Sequence, residues 1–137
     1  MLIGVGFTVT NCWYEIGSSG VVESLRLTMV NNLSSEVLDK CPTIIQDTFN
    51  EGISAEDIDR ALVELDFIIE ELRSLDVDCA CFVDEGDAAM HSSWCNENAT
   101  NLSEVFVTVY GHNLLQYFRA VLNEAKEASA GLCIEVI

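Results

Sequence analysis

The stretch that most constrains this chain is Ile53 to Leu75, ISAEDIDRALVELDFIIEELRSL. Ile58, Ala61, Leu62, Leu65, Ile69 and Leu72 recur at helical spacing and predict one apolar stripe. Phe67 and Ile68 broaden that stripe. Ser54 is placed to cap the helix by accepting from the amide of Asp57, and Ile53 with Ile58 forms a hydrophobic staple. Glu56 and Asp57 in the first turn and Arg73 in the last suit the helix dipole. Asp59, Arg60, Glu64, Asp66, Glu70 and Glu71 are expected on the outer face. That face reads either as a solvated surface or as the side that meets a basic partner.

The charge of the whole chain bears on this choice. There are 23 acids and 6 bases in 137 residues, a net charge of −17. Such a surface repels nucleic-acid phosphates and anionic membranes and attracts basic proteins from a distance. Residues 76–104 hold Asp76, Asp78, Asp84, Glu85, Asp87, Glu97 and Glu104 and no base, so the strongest negative field is expected there. Half of the residues are apolar, which argues for a folded chain. One domain over residues 1–137 is expected at this length.

Around the long helix the pattern alternates between strand and helix. Leu2–Thr10 predicts a strand with Ile3, Val5, Phe7 and Val9 on the apolar face. Gly4 and Gly6 let a neighbouring backbone or side chain come close. Gly17, Ser18, Ser19 and Gly20 form a turn and start a helix to Leu33, with Val22, Leu25, Met29, Val30 and Leu33 facing inward. Pro42 opens a short helix through Phe49. Val77–Val83 and Val105–Tyr110 read as the second and third strands, separated by the long acidic stretch Asp84–Leu102. A last helix starts at His112 or Asn113 with the stripe Leu114, Phe118, Val121, Leu122 and Ala125. That stripe fits core packing, and it would also fit a dimer, so the oligomeric state stays open. Gly131 ends this helix and Leu132–Ile137 forms a final strand. The expected fold is α+β: a mixed sheet of about four strands packed against about four helices, the third strand, last helix and last strand forming a right-handed crossover.

Motifs for chemistry are absent. Gly4–Phe7 lacks the third glycine and following helix of a phosphate loop. Asp84–Asp87 lacks the alternating oxygen ligands of a calcium loop. Cys12, Cys41, Cys79, Cys81, Cys95 and Cys133 do not have zinc-knuckle spacing, and no signal-peptide pattern precedes them. Reduced, structural thiols in a cytoplasmic chain are the expectation. Cys95 with His91 or His112 could form a thiol–imidazole pair, but an acidic setting disfavours the thiolate. No catalytic residue, cofactor or metal is assigned. Trp13, Tyr14 and Trp94 read as core or core-edge aromatics, and Trp94, lying in the loop, would anchor an interface if exposed.

Several landmarks together resemble the immunity protein 70 family, small bacterial proteins encoded beside polymorphic toxins, including those of contact-dependent growth inhibition systems. They are Trp13-Tyr14-Glu15-Ile16-Gly17-Ser18, Pro42 with its short helix, Ile53-Ser54-Ala55-Glu56-Asp57 leading into Ala61-Leu62-Val63-Glu64-Leu65, Asn101-Leu102-Ser103, Phe106-Val107-Thr108 and Gly111. Cys79–Asn98 and His112-Asn113 depart from the family pattern. The resemblance implies a non-catalytic inhibitor that binds one cognate toxin C-terminal domain in the cytoplasm. The charge fits a toxin that is a basic nuclease, since a nuclease must be basic to hold its substrate. By charge density, the expected toxin-binding residues are Asp84, Glu85, Asp87 and Glu97, with Glu64 and Glu71 on the long helix. An alternative is an acidic nucleic-acid mimic or adaptor that binds a host nucleic-acid-binding protein.

Overall fold

The computed structural model describes residues 4–83 and 94–136. The chain opens with a hairpin: β1 (Gly4–Val9) pairs antiparallel with β2 (Cys12–Ser18). Val5, Phe7 and Val9 are buried, as the alternation predicts. The close approach expected at a glycine is made at Gly6, where a Cβ would come within 2.7 Å of both the Trp13 indole and the Tyr14 carbonyl. β2 has no counterpart in the sequence reading, which assigns no strand between Cys12 and Gly17. Thr10, with φ at 53°, reverses the chain so that this segment folds back on β1.

β3 (Cys133–Val136) pairs antiparallel with the other side of β1, giving the order β2-β1-β3. The sheet is therefore antiparallel and three-stranded among the described residues, and the expected mixed sheet of about four strands with its crossover is corrected. Two segments read as strands are not in it. Val77–Cys79 is a 3₁₀ turn, held by the Asp76 carboxylate accepting from the Asp78 amide. The backbone that follows lies along the first helix and is satisfied by side chains. Cys81 N–H donates to Thr28 Oγ1 at 2.8 Å, Asn32 Nδ2 donates to the Cys79 carbonyl at 2.9 Å, and Val83 N–H donates to Ser24 Oγ at 3.2 Å. With their polar groups met there, these residues need no neighbouring strand. In Val105–Tyr110 only single bridges form, Phe106 to Cys95 and Val107 to Asn113.

Helix α1 (Ser19–Asn32) buries Val21, Val22, Leu25 and Met29, while Val30 of the expected stripe is 38% exposed. An unforeseen helix, α2 (Ser35–Lys40), follows because Ser34 caps it, its hydroxyl accepting from the Val37 amide. Pro42 opens α3 (Pro42–Ile45), shorter than expected and succeeded by a 3₁₀ turn at Asp47–Phe49. The central helix is α4 (Ile58–Arg73), preceded by a 3₁₀ turn at Ala55–Asp57. Ser54 does not cap as expected: its hydroxyl donates to the Asp57 carboxylate, and the Asp57 amide bonds the Ser54 carbonyl. Ile58, Ala61, Leu65, Ile68, Ile69 and Leu72 are buried and Leu62 is partly buried, whereas Phe67, expected to broaden the stripe, is exposed. Helix α5 (Leu114–Ala128) is capped by Asn113 accepting from the Gln116 amide and closes at Ser129, in the left-handed region, rather than at Gly131. Its whole expected stripe is buried in the core. Phe118 stacks on Phe7 at 4.8 Å, joining α5 to the sheet. Burying each such large apolar side chain contributes roughly 1.5–3 kcal/mol.

Trp94 is 6% exposed and belongs to the core, so it is not an exposed anchor. Its ring lies so close over Gly20 in the first turn of α1 that a Cβ there would collide with it. Its carbonyl accepts from the Val107 amide at 2.8 Å.

Candidate functional site

All six basic side chains are engaged in ion pairs with single acids. Arg26 meets Glu23, Lys40 meets Glu36, Arg60 meets Asp57 and Arg73 meets Glu70, each within one turn of helix. The other two pairs join helices: Arg119 of α5 holds Asp66 of α4 with Nε at 2.6 Å, and Lys126 holds Asp59 at 2.9 Å. One heptad separates the two contacts on each helix, so α4 and α5 run antiparallel with the bases of α5 turned onto α4. No base is left to offset the remaining acids, and the net charge of −17 is theirs.

The expected binding residues fall into three groups. Glu71 on α4 and Glu97 in the turn after Trp94 are exposed. Asp84, Glu85 and Asp87 lie outside the described residues. Glu64 is a correction: it is 5% exposed and faces inward. Its Oε1 accepts from the Ile44 amide in α3 at 3.0 Å, and Oε2 has no partner. The apolar arc of α4 includes Leu65 and Ile68 beside it, so α3 packs over a position the helical pattern assigned to solvent.

The thiols are all free and resist ionisation where shifts arise. Burial, and then the neighbouring Glu64 carboxylate, pushes Cys41 from 9.0 to about 11. Burial raises Cys95, and burial with Glu135 raises Cys133. None of these directions activates a nucleophile at neutral pH. His91 lies outside the described residues, and the His112 ring lies parallel to Tyr117 with centroids 6.0 Å apart. Among the described residues, no group of three or more His, Cys, Asp or Glu side chains is placed to hold a metal ion. No helix there is long and apolar enough to cross a membrane.

A feature that sequence reasoning missed lies where β2 meets the start of α5. The segment read as the end of a strand is a turn. Thr108 N–H donates to the His112 carbonyl at 2.8 Å, and Gly111 N–H donates to the Thr108 carbonyl at 2.9 Å. The Thr108 hydroxyl accepts from the Tyr110 and His112 amides. Val109 N–H donates to Ile16 of β2 at 2.7 Å, fastening the turn to the sheet edge. The turn holds Val109 at 57% exposure and Tyr110 at 70%. Tyr14 of β2 and Tyr117 of α5 are half-buried. The Tyr117 phenol is raised by burial and then by its neighbours Tyr14, Tyr110 and Glu15. Gly111, the glycine from which the sequence reading expects a change of direction, takes φ at 84° in this turn.

No curated protein and no solved structure matches the chain. The model of the family described as immunity protein 70 matches residues 7–134. That span starts within β1 and ends within β3, and the chain belongs to the immunity protein 70 family.

Proposed function

We propose that this chain binds and neutralises one cognate toxin domain of a polymorphic or contact-dependent growth inhibition system, a basic nuclease, in the bacterial cytoplasm. The family membership supports immunity, and one structural observation supports the nature of the partner: each of the six bases is held in an ion pair, while the chain keeps a net charge of −17. A nuclease keeps a basic cleft for phosphates. An acidic surface is steered onto such a cleft and competes with nucleic acid there. Neutralisation is then occlusion, and the inhibitor performs no chemistry. Glu71 and Glu97, both exposed, contribute to that steering.

The test is growth rescue. The C-terminal domain of the protein encoded immediately upstream is expressed with and without this chain. Toxicity relieved by this chain, with a complex that co-purifies and excludes nucleic acid, is the expected result. Toxicity without relief would overturn the immunity reading. Relief without loss of nucleic-acid binding by the toxin would overturn the nuclease-cleft part of it.

A further inference from the structure

We infer that the outer ridge of α4 is a self-association surface, on which a second copy of this chain docks antiparallel about a two-fold axis midway between Val63 and Phe67. The inference goes beyond the immunity reading and does not depend on it. The first observation is an exposed apolar pair. Val63 and Phe67 lie one helical turn apart and are 71% and 41% exposed, while the opposite side of α4 is buried in the core.

The second observation is the order of charges along the same strip. Arg60, Val63, Phe67 and Glu71 follow one another at helical spacing and are all exposed, so the strip reads base, apolar, apolar, acid. The outer two are about 16 Å apart along the axis, and the inner two share nearly the same midpoint. An antiparallel copy reads the strip in reverse. Val63 then meets Phe67 of the copy, and Arg60 meets Glu71 of the copy at both ends, which is the self-complementarity a two-fold interface requires. A parallel copy would set like charges against each other. Both charged groups are available. Arg60 has the longest of the six ion pairs, 3.5 Å to Asp57, and Glu71 is in none of them.

The third observation selects a second copy over a basic partner. Arg60 and Arg73 of α4 and Arg119 and Lys126 of α5 are four of the six bases, so this side of the molecule is where the acids are most nearly balanced. On the flank toward α5, Asp59 and Asp66 are already neutralised by Lys126 and Arg119. A basic partner gains least here, and a second acidic chain is repelled least. The monomer leaves Glu71 open for steering a toxin and the dimer holds it against Arg60, so the two uses alternate.

Sedimentation equilibrium of the whole chain tests this. Wild type is expected to dimerise reversibly with Kd on the order of 10 μM, since one helix face makes a small interface. Arg60→Glu and Glu71→Arg, each alone, set like charges together at both ends and are expected to weaken the dimer by about tenfold or more. An equimolar mixture of these two variants is expected to recover a heterodimer within about threefold of wild type, because both end contacts are then between opposite charges. Val63→Ala/Phe67→Ala is expected to weaken the dimer by about tenfold or more, each truncation counting twice by symmetry. Unchanged far-ultraviolet circular dichroism shows that each variant is folded. Wild type that stays monomeric at about 100 μM overturns the proposal. So does a dimer that all the variants leave within about threefold of wild type, which would lie on another surface. A mixture that stays monomeric overturns the antiparallel register. A monomeric wild type whose toxin affinity falls with Val63→Ala/Phe67→Ala would assign the ridge to the toxin and overturn the second copy.

Discussion

Glu64 shows how a single residue can satisfy a local pattern and break it in three dimensions. On a helical wheel it continues the acidic face of α4; in the fold its carboxylate terminates the amide of Ile44 inside the protein. Glu64→Ala strands a buried N–H and opens space beside Ile44, so urea unfolding is expected to show a loss of about 2–3 kcal/mol. Glu64→Gln keeps an acceptor for Ile44 and is expected to cost less than Glu64→Ala; equal losses would remove the hydrogen bond as the cause. The neighbouring Cys41 makes a pH prediction. Its folded pKa is raised from 9.0 to about 11, so the folded state holds the proton more tightly than the unfolded chain does. The corresponding stability is fully present below pH 9.0 and is lost as the pH rises toward about 11. Unfolding midpoints measured across that window should fall less steeply for Cys41→Ala than for wild type, and parallel slopes would refute the assignment.

Among the elements, α1 is the one that organises its surroundings through side chains as well as through its apolar stripe. Ser24, Thr28 and Asn32 recur every four residues and hold the backbone of residues 79–83, which left to its own alternation reads as a strand. At the start of the same helix Gly20 admits Trp94. In an ordinary helix Gly→Ala stabilises by roughly 0.5–1 kcal/mol. Here the new methyl meets the indole, and Gly20→Ala is expected to lower stability by about 1–3 kcal/mol instead. Denaturant unfolding distinguishes the two signs. The α4–α5 ion pairs, by contrast, are exposed on both partners. Arg119→Ala is therefore expected to cost no more than about 1 kcal/mol, since the apolar stripes of both helices are buried in the core.

For the whole molecule, a net charge of −17 on 137 residues has two consequences that pull in opposite directions. Self-repulsion destabilises the compact state, so thermal stability is expected to rise as sodium chloride is added. The same field accelerates encounter with a basic toxin, so the association rate is expected to fall by about tenfold or more between low and high salt, with dissociation changing less. A rate indifferent to salt would remove steering from the proposed function. Neighbours in the chain suffice to make legible the stripes of α4 and α5, the apolar face of β1, a helix start at Pro42 and another at His112 or Asn113, the excess of acids and the family. Those features repeat every two, three or four residues, so a short window contains the whole signal. It took packing to make Cys12–Ser18 a strand, to keep Val77–Val83 and Val105–Tyr110 out of the sheet, and to turn Glu64 inside. In each case the deciding partner is distant in sequence: Cys81 is bonded by Thr28, Ile44 by Glu64 and Val109 by Ile16. A backbone group takes whichever partner packing brings to it, and periodicity carries no information about which that is.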